Sequence, residues 1–301
     1  HNLKEISWFL NAYIIFILFA CGFNLIINFA EIMSSFSSVS AYYYNISSFF
    51  DNKNTFGLFL FTGIIATTTQ YLITGKSRFV LAGLGIIITL VTCYSRTPLY
   101  AVVLFIVVLI TMNFKNNKKM FITSMLFISF FIVLFSFNST LHDFIEVMVL
   151  RKDVGIASRQ YIWENLLANL SGFRILIGYG ENTTMPLLKL QHLTPYTHNG
   201  LISILFTGGI IKLFIYVILL FDVFKKAVFV YKKNVTVGSI LLATIVSTFL
   251  YSMGEDVVLL QSNGTSLIVT ILAVSMTILF YNYFRVYGEI VNRPTEHRFR
   301  W

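Results

Sequence analysis

The chain has 301 residues, of which 56% are hydrophobic and only 12% charged, and it carries a formal net charge of +9. Apolar runs of about 16 to 22 residues recur from end to end, a pattern that excludes an ordinary soluble domain and marks an integral membrane protein. Unpaired backbone groups cannot face lipid, and these runs exceed the segments of about ten residues used by outer-membrane barrels. The expected fold class is therefore all-α, a polytopic membrane helical bundle forming one domain over 1–301.

Eight spans are expected, near 8–30, 55–74, 79–94, 98–114, 120–137, 199–221, 238–253 and 265–284. The sequence begins at His1 rather than at a methionine, and no signal-peptide pattern precedes the first span. Further N-terminal material is expected, so eight is a minimum. The next segment, Glu31 to Asn54, is rich in serine and aromatics, including Tyr42, Tyr43 and Tyr44, and reads as an interfacial helix at headgroup level. Cys21 and Cys93 fall within or near apolar spans and define neither a disulfide framework nor a metal site.

Placing the N-terminus inside puts Lys4, Lys76, Arg78, Lys115, Lys118, Lys119, Lys225, Lys226, Lys232, Lys233, Arg285, Arg293, Arg298 and Arg300 on the cytoplasmic side. Lys53, Arg96, Arg151, Lys152, Arg159, Arg174 and Lys189 then lie outside. Short inner loops carry the excess, as the positive-inside rule requires, so the net charge reflects topology rather than nucleic-acid binding.

Arg96 stands in a tight hairpin between spans three and four, with Pro98 placed as the first residue of span four. An arginine held there presents a planar fork suited to a phosphate at the membrane surface; taken alone, it reads more simply as a side chain snorkelling to headgroups. Between spans five and six lies one large extracytoplasmic loop, 138–197, the first place to look for chemistry. Within it, Ser158 to Leu170 is amphipathic, with Ser158 as N-cap, Arg159 near its start, and Tyr161, Ile162, Leu166, Leu167 and Leu170 at helical spacing. Arg174 adds positive charge, and Gly178 and Gly180 permit either a sharp turn or close approach to a ligand.

His198 opens span six, with Thr197 or Asn199 to cap the helix. A histidine at the positive end of a helix dipole tends to be neutral and able to accept a proton; the plainer role is capping or hydrogen bonding. Glu255 and Asp256, between spans seven and eight, either bind an acceptor or pair with the arginines, but read most simply as a solvated acidic loop. Lys212 lies within span six and either snorkels or pairs inside the bundle.

In order along the chain, Asn52-Lys53-Asn54-Thr55-Phe56, Ser95-Arg96, Ser158-Arg159 with Trp163, Gly178-Tyr179-Gly180, and His198-Asn199-Gly200 leading through Gly208-Gly209-Ile210-Ile211 resemble the O-antigen polymerase and O-antigen ligase superfamily. The resemblance covers roughly 50–220; Lys212 after the Gly-Gly-Ile-Ile run departs from the commoner pattern. It implies a metal-independent membrane glycosyltransferase with a GT-C-like helical bundle and no cofactor. Such an enzyme works at the outer face of the bacterial cytoplasmic (inner) membrane, with its site toward the periplasm or cell exterior. The implied donor is an undecaprenyl-diphosphate-linked oligosaccharide, with a chain-length regulator and a flippase as further partners. By the resemblance, Arg96 and Arg159 hold the diphosphate, His198 helps to activate the acceptor hydroxyl, and Gly178, Gly180, Asn199 and Arg174 line the substrate site. A repeat-unit polymerase is the favoured subtype, ahead of a ligase onto lipid A core. A transporter of the same lipids would place charges along a midplane path rather than at one surface.

Overall fold

The computed structural model describes residues 2–35, 45–113, 157–180, 197–258 and 264–287. Among these residues helix is the only regular structure, and the fold is that of an all-α polytopic membrane protein. Among the described residues, six helices are long and apolar enough to cross a membrane. The expected fifth span, 120–137, and Tyr42, Tyr43, Tyr44, Arg151 and Lys152 lie outside the described residues.

In chain order the helices are α1 (Asn2–Ile27), α2 (Phe29–Ser35), α3 (Lys53–Thr74), α4 (Arg78–Thr92), α5 (Arg96–Asn113), α6 (Ala157–Asn169), α7 (Arg174–Ile177), α8 (Gly200–Lys233), α9 (Val235–Gly254), α10 (Gly264–Thr270) and α11 (Met276–Tyr287). A π-helical turn, Ile271–Ser275, joins the last two. The centre of the bundle is α3 with α9. Helix α3 is the most enclosed of the spans beside α9, and it packs on α1, α4 and α5, while α9 packs on α5 and α8.

Local sequence explains where these helices start and stop. Asn52 caps α3 by accepting the N–H of Thr55 at 2.9 Å, and Gly75 ends it in the left-handed conformation (φ 68°). Asn234 does double duty, closing α8 and capping α9 by accepting from Val237 N–H at 3.0 Å. The polar side chains inside α3 cost little, because Thr62, Thr67 and Thr69 donate back to carbonyls of the preceding turn. Gln70 donates to the Ser7 carbonyl of α1 at 2.7 Å.

Three departures from the sequence reading have physical causes. Helix α5 begins at Arg96, so Pro98 is its third residue, still in the first turn where its missing N–H is harmless. Helix α6 begins at Ala157, one residue ahead of the proposed Ser158 cap. Helix α8 runs to Lys233 instead of ending near 221, a length of about 50 Å at about 1.5 Å per residue. It is also broken at Gly209 (φ 65°, ψ −169°).

Candidate functional site

Several helix ends converge at one end of the bundle: the starts of α3, α5, α6 and α8, and the end of α9. Close backbone approach is required there. A Cβ on Gly57 of α3 would lie 2.6 Å from Pro98 Cγ, and one on Gly254 would lie 2.8 Å from Thr97 Cγ2. Side chains from the sequence motifs are thereby drawn together.

The meeting point is Glu255, the residue after α9, which is 8% exposed. Its Oε1 accepts from Asn54 Nδ2 at 3.0 Å and from Thr97 Oγ1 at 3.4 Å, and lies 3.6 Å from Arg159 Nη2. Its Oε2 lies 3.2 Å from His198 Nδ1. Asn54 is itself held, since Ser95 Oγ donates to its Oδ1 at 2.9 Å and Tyr251 OH donates to its carbonyl at 3.2 Å. Arg159 Nη1 donates to the Gly254 carbonyl at 3.0 Å. Arg96 follows directly on Ser95 at the start of α5, with its Nε and Nη1 buried.

Asp256 completes the arrangement from the backbone side. Its carboxylate accepts the N–H of Thr197 at 2.7 Å and that of Asn199 at 3.2 Å, bridging the two neighbours of His198. His198 adopts φ 50°, a left-handed conformation that costs a non-glycine residue about 1 kcal/mol and needs such support. Asn199 is the N-cap of α8, its Oδ1 accepting from Leu201 and Ile202 N–H at 3.0 and 3.1 Å. Trp163 of α6 donates to the Thr197 carbonyl at 2.8 Å, so the helix that carries Arg159 also fixes the segment that carries His198. Burial raises the Asp256 carboxyl above the ordinary carboxylate range; the two backbone N–H groups and His198 pull it down, and Glu255 pushes it up.

The reading of Glu255 and Asp256 as a solvated acidic loop is therefore wrong. Both are engaged, because the end of α9 is packed beneath the starts of α3, α5 and α8. The local sequence offered one signal: two adjacent acids closing a strongly apolar span, where a lone charge would be costly.

Gly178, Gly180 and Arg174 stand elsewhere. Tyr179 and Gly180 N–H donate to the Phe206 and Thr207 carbonyls at 2.9 and 2.8 Å. These are among the acceptors that a break at Gly209 withdraws from the helix ladder. A Cβ on Gly178 would lie 2.4 Å from Thr207 C, and one on Gly209 would lie 2.2 Å from the Leu176 carbonyl oxygen. Tyr179 stacks on Phe206 at 4.9 Å, and exposed Arg174 lies over the Tyr179 ring and donates to the Gly178 carbonyl at 3.2 Å. Ile162 and Leu166 of α6 bury against the same Phe206, whereas Tyr161 and Leu167 remain exposed. This second contact lies roughly 12 Å along α8 from its cap, at about 1.5 Å per residue. Lys212 Nζ reaches back to donate to Thr207 Oγ1 at 3.1 Å.

Comparison with known proteins adds one match. No curated protein shows significant similarity to the chain. Residues 81–217 match the O-antigen ligase family, whose members are membrane glycosyltransferase-like enzymes. The matched segment contains Arg96, Arg159, Arg174, Gly178, Gly180, His198 and Asn199; Asn54, Glu255 and Asp256 lie outside it. By this match, the stretch from 81 to 217 is similar to the O-antigen ligase family, consistent with the superfamily that the motifs resemble.

Proposed function

We infer that the protein is a glycosyltransferase that moves a glycan from undecaprenyl diphosphate onto an acceptor hydroxyl, with its site at the periplasmic or outer face of the bacterial cytoplasmic membrane. The observation that carries this reading is the meeting of His198 and Arg159 on Glu255, beside the start of α5 where Arg96 stands. An imidazole whose Nδ1 faces a carboxylate carries its proton there, which leaves Nε2 as the acceptor. Arg159 commits one donor to Gly254 and directs another toward Glu255, out of the five that a guanidinium holds.

The chemistry then balances without an external reagent. The acceptor oxygen forms a bond to the anomeric carbon as the bond from that carbon to the diphosphate oxygen breaks. The hydroxyl proton passes to His198 Nε2, and the bonding electrons leave with the diphosphate. Arg96 and Arg159 stabilise the charge that grows on it, an electrostatic contribution of several kcal/mol in comparable sites. Asn199, as the cap of α8, fixes the start of the helix behind His198, whereas Arg174 belongs to the contact between Gly178–Gly180 and α8.

Within this class the favoured subtype is a polymerase, in which the acceptor is a second lipid-linked repeat unit. The Phe-, Tyr-, Asn- and Lys-rich character of the loop and of α8 supports it. Incubation of the purified protein with a synthetic undecaprenyl-diphosphate repeat unit alone tests the proposal. A ladder of longer lipid-linked glycans establishes polymerisation. Product only on addition of a separate acceptor makes the enzyme a ligase, and no transfer to any acceptor overturns the reading.

A further inference from the structure

We propose that Glu255 is the positioning residue that couples the two halves of the site, holding His198 in its proton-accepting tautomer and releasing Arg159 to the donor diphosphate. The proposal rests on the glycosyl-transfer reading above and extends it to a residue outside the family match.

The two oxygens of Glu255 are divided between the two tasks. Among the described residues, Oε2 faces His198 Nδ1, at 3.2 Å. A carboxylate can only accept, so it selects the Nδ1–H form and aims Nε2 away from the carboxylate. Oε1 is anchored by Asn54 Nδ2 at 3.0 Å, so Glu255 does not depend on Arg159 for its position. The contact to Arg159 is the loosest of the set: 3.6 Å is an ion pair but is beyond hydrogen-bond length. Arg159 is thus attracted to Glu255, tethered at Nη1 by Gly254, and a quarter exposed (24%), so its fork can turn toward a stronger anion. A diphosphate offers more charge and bidentate geometry, and it draws Arg159 from the carboxylate. Glu255 meanwhile keeps its contact with His198 Nδ1 and its anchor on Asn54, so the imidazole stays oriented when the donor is in place.

This arrangement predicts effects of opposite sign on binding and turnover, which a merely structural glutamate would not give. In Glu255→Gln the amide oxygen can keep the Asn54 and Thr97 contacts while its NH2 faces His198. The ring must then accept at Nδ1 and carry its proton on Nε2, the wrong tautomer. Transfer from the lipid-linked repeat unit should fall about 10²- to 10⁴-fold, the range found when an orienting carboxylate becomes an amide. Affinity for undecaprenyl diphosphate, used as the binding probe, should stay equal or tighten a few-fold, because Arg159 no longer leaves a carboxylate. Glu255→Asp keeps the charge and should recover at least about tenfold of the lost turnover.

Turnover of Glu255→Gln within about threefold of the unaltered protein, or probe binding lost in step with turnover, overturns the proposal. If Glu255→Gln does not fold, Glu255→Asp carries the test: it should bind the probe at least as well as the unaltered protein and transfer more slowly. Weaker binding with undiminished transfer overturns the idea. The two readings fail separately. An unaltered protein that transfers to no acceptor sinks both, whereas an active one matched by Glu255→Gln sinks only the role of Glu255.

Discussion

The cluster around Glu255 and the contact between Gly178–Gly180 and the broken α8 are built from the same run of motifs by opposite means. At Glu255, backbones approach closely so that side chains can meet, and ionisable and polar groups from four helix ends share one carboxylate at the end of a fifth. At Gly209 the side chains are missing so that backbones can meet, and two amides satisfy carbonyls that the broken ladder released. The first arrangement gathers the groups proposed for the chemistry, and the second makes a joint that fixes α6 and α7, with Arg159, against α8. Glycines and charged residues lying close in sequence can therefore belong to different tasks, and the test of which is which is whether damage shows in turnover or in stability.

The widest separation should come from His198. In the purified protein, His198→Ala should lower transfer about 10²- to 10⁴-fold with little change in thermal unfolding, because the ring contributes a proton acceptor rather than packing. Arg96→Ala and Arg159→Ala should likewise abolish or sharply reduce polymer while leaving protein in the membrane. Normal polymer from all three variants would sink the assignment.

The joint should behave the other way. Gly209→Ala forces a Cβ to within 2.2 Å of the Leu176 carbonyl oxygen at φ 65°. The expected loss is about 2–4 kcal/mol of stability, combining overpacking with left-handed strain. Gly180→Ala is the internal control: φ is 96° but no atom of the described residues lies within 4 Å, so the strain of about 1 kcal/mol is the expected cost. Thermal melting in detergent should order the unaltered protein, Gly180→Ala and Gly209→Ala from most to least stable. A Gly209→Ala variant that melts normally but fails to transfer would place the break in the chemistry instead.

These two regions also mark how far the sequence could be read. Long apolar runs made the spans legible, since the bilayer demands length and backbone closure. Motif order singled out His198 and Arg159, and the structure brings both to Glu255. Glu255 was not legible, because its partners are remote: His198 is 57 positions away and Asn54 is 201, and two acids after a span look like any solvated turn. The break in α8 was equally hidden. Gly208-Gly209 permits a kink without requiring one, and only the docking of Tyr179 and Gly180 fixes it. The extension of α8 past 221 was missed because Lys225 and Lys226 read as a membrane boundary. The helix continues through them, with Lys226 paired to Asp222 one turn back.

A smaller effect is expected where the two regions touch through α6. Trp163→Phe keeps the ring but removes the donor to the Thr197 carbonyl, at a cost of about 1 kcal/mol. Because Thr197 precedes His198, transfer should fall several-fold as well, a mixed signature that neither region alone would give.

The smallest expected effect concerns Asp256, and its sign is informative. Burial raises this carboxyl above the ordinary range even though the Thr197 and Asn199 amides and His198 favour its ionised form, and Glu255 adds to the rise. The folded chain therefore binds this proton more tightly than the unfolded chain does. That contribution to stability is fully present below the ordinary carboxylate range and is lost as pH rises through the raised value. Asp256→Asn cannot titrate, so the melting temperature of the unaltered protein relative to this variant should increase as pH is lowered from neutral into the mildly acidic range. A gap that narrows on acidification would mean that the two backbone N–H groups outweigh burial, and that the clamp on His198 is held by the ionised carboxylate at a net gain in stability.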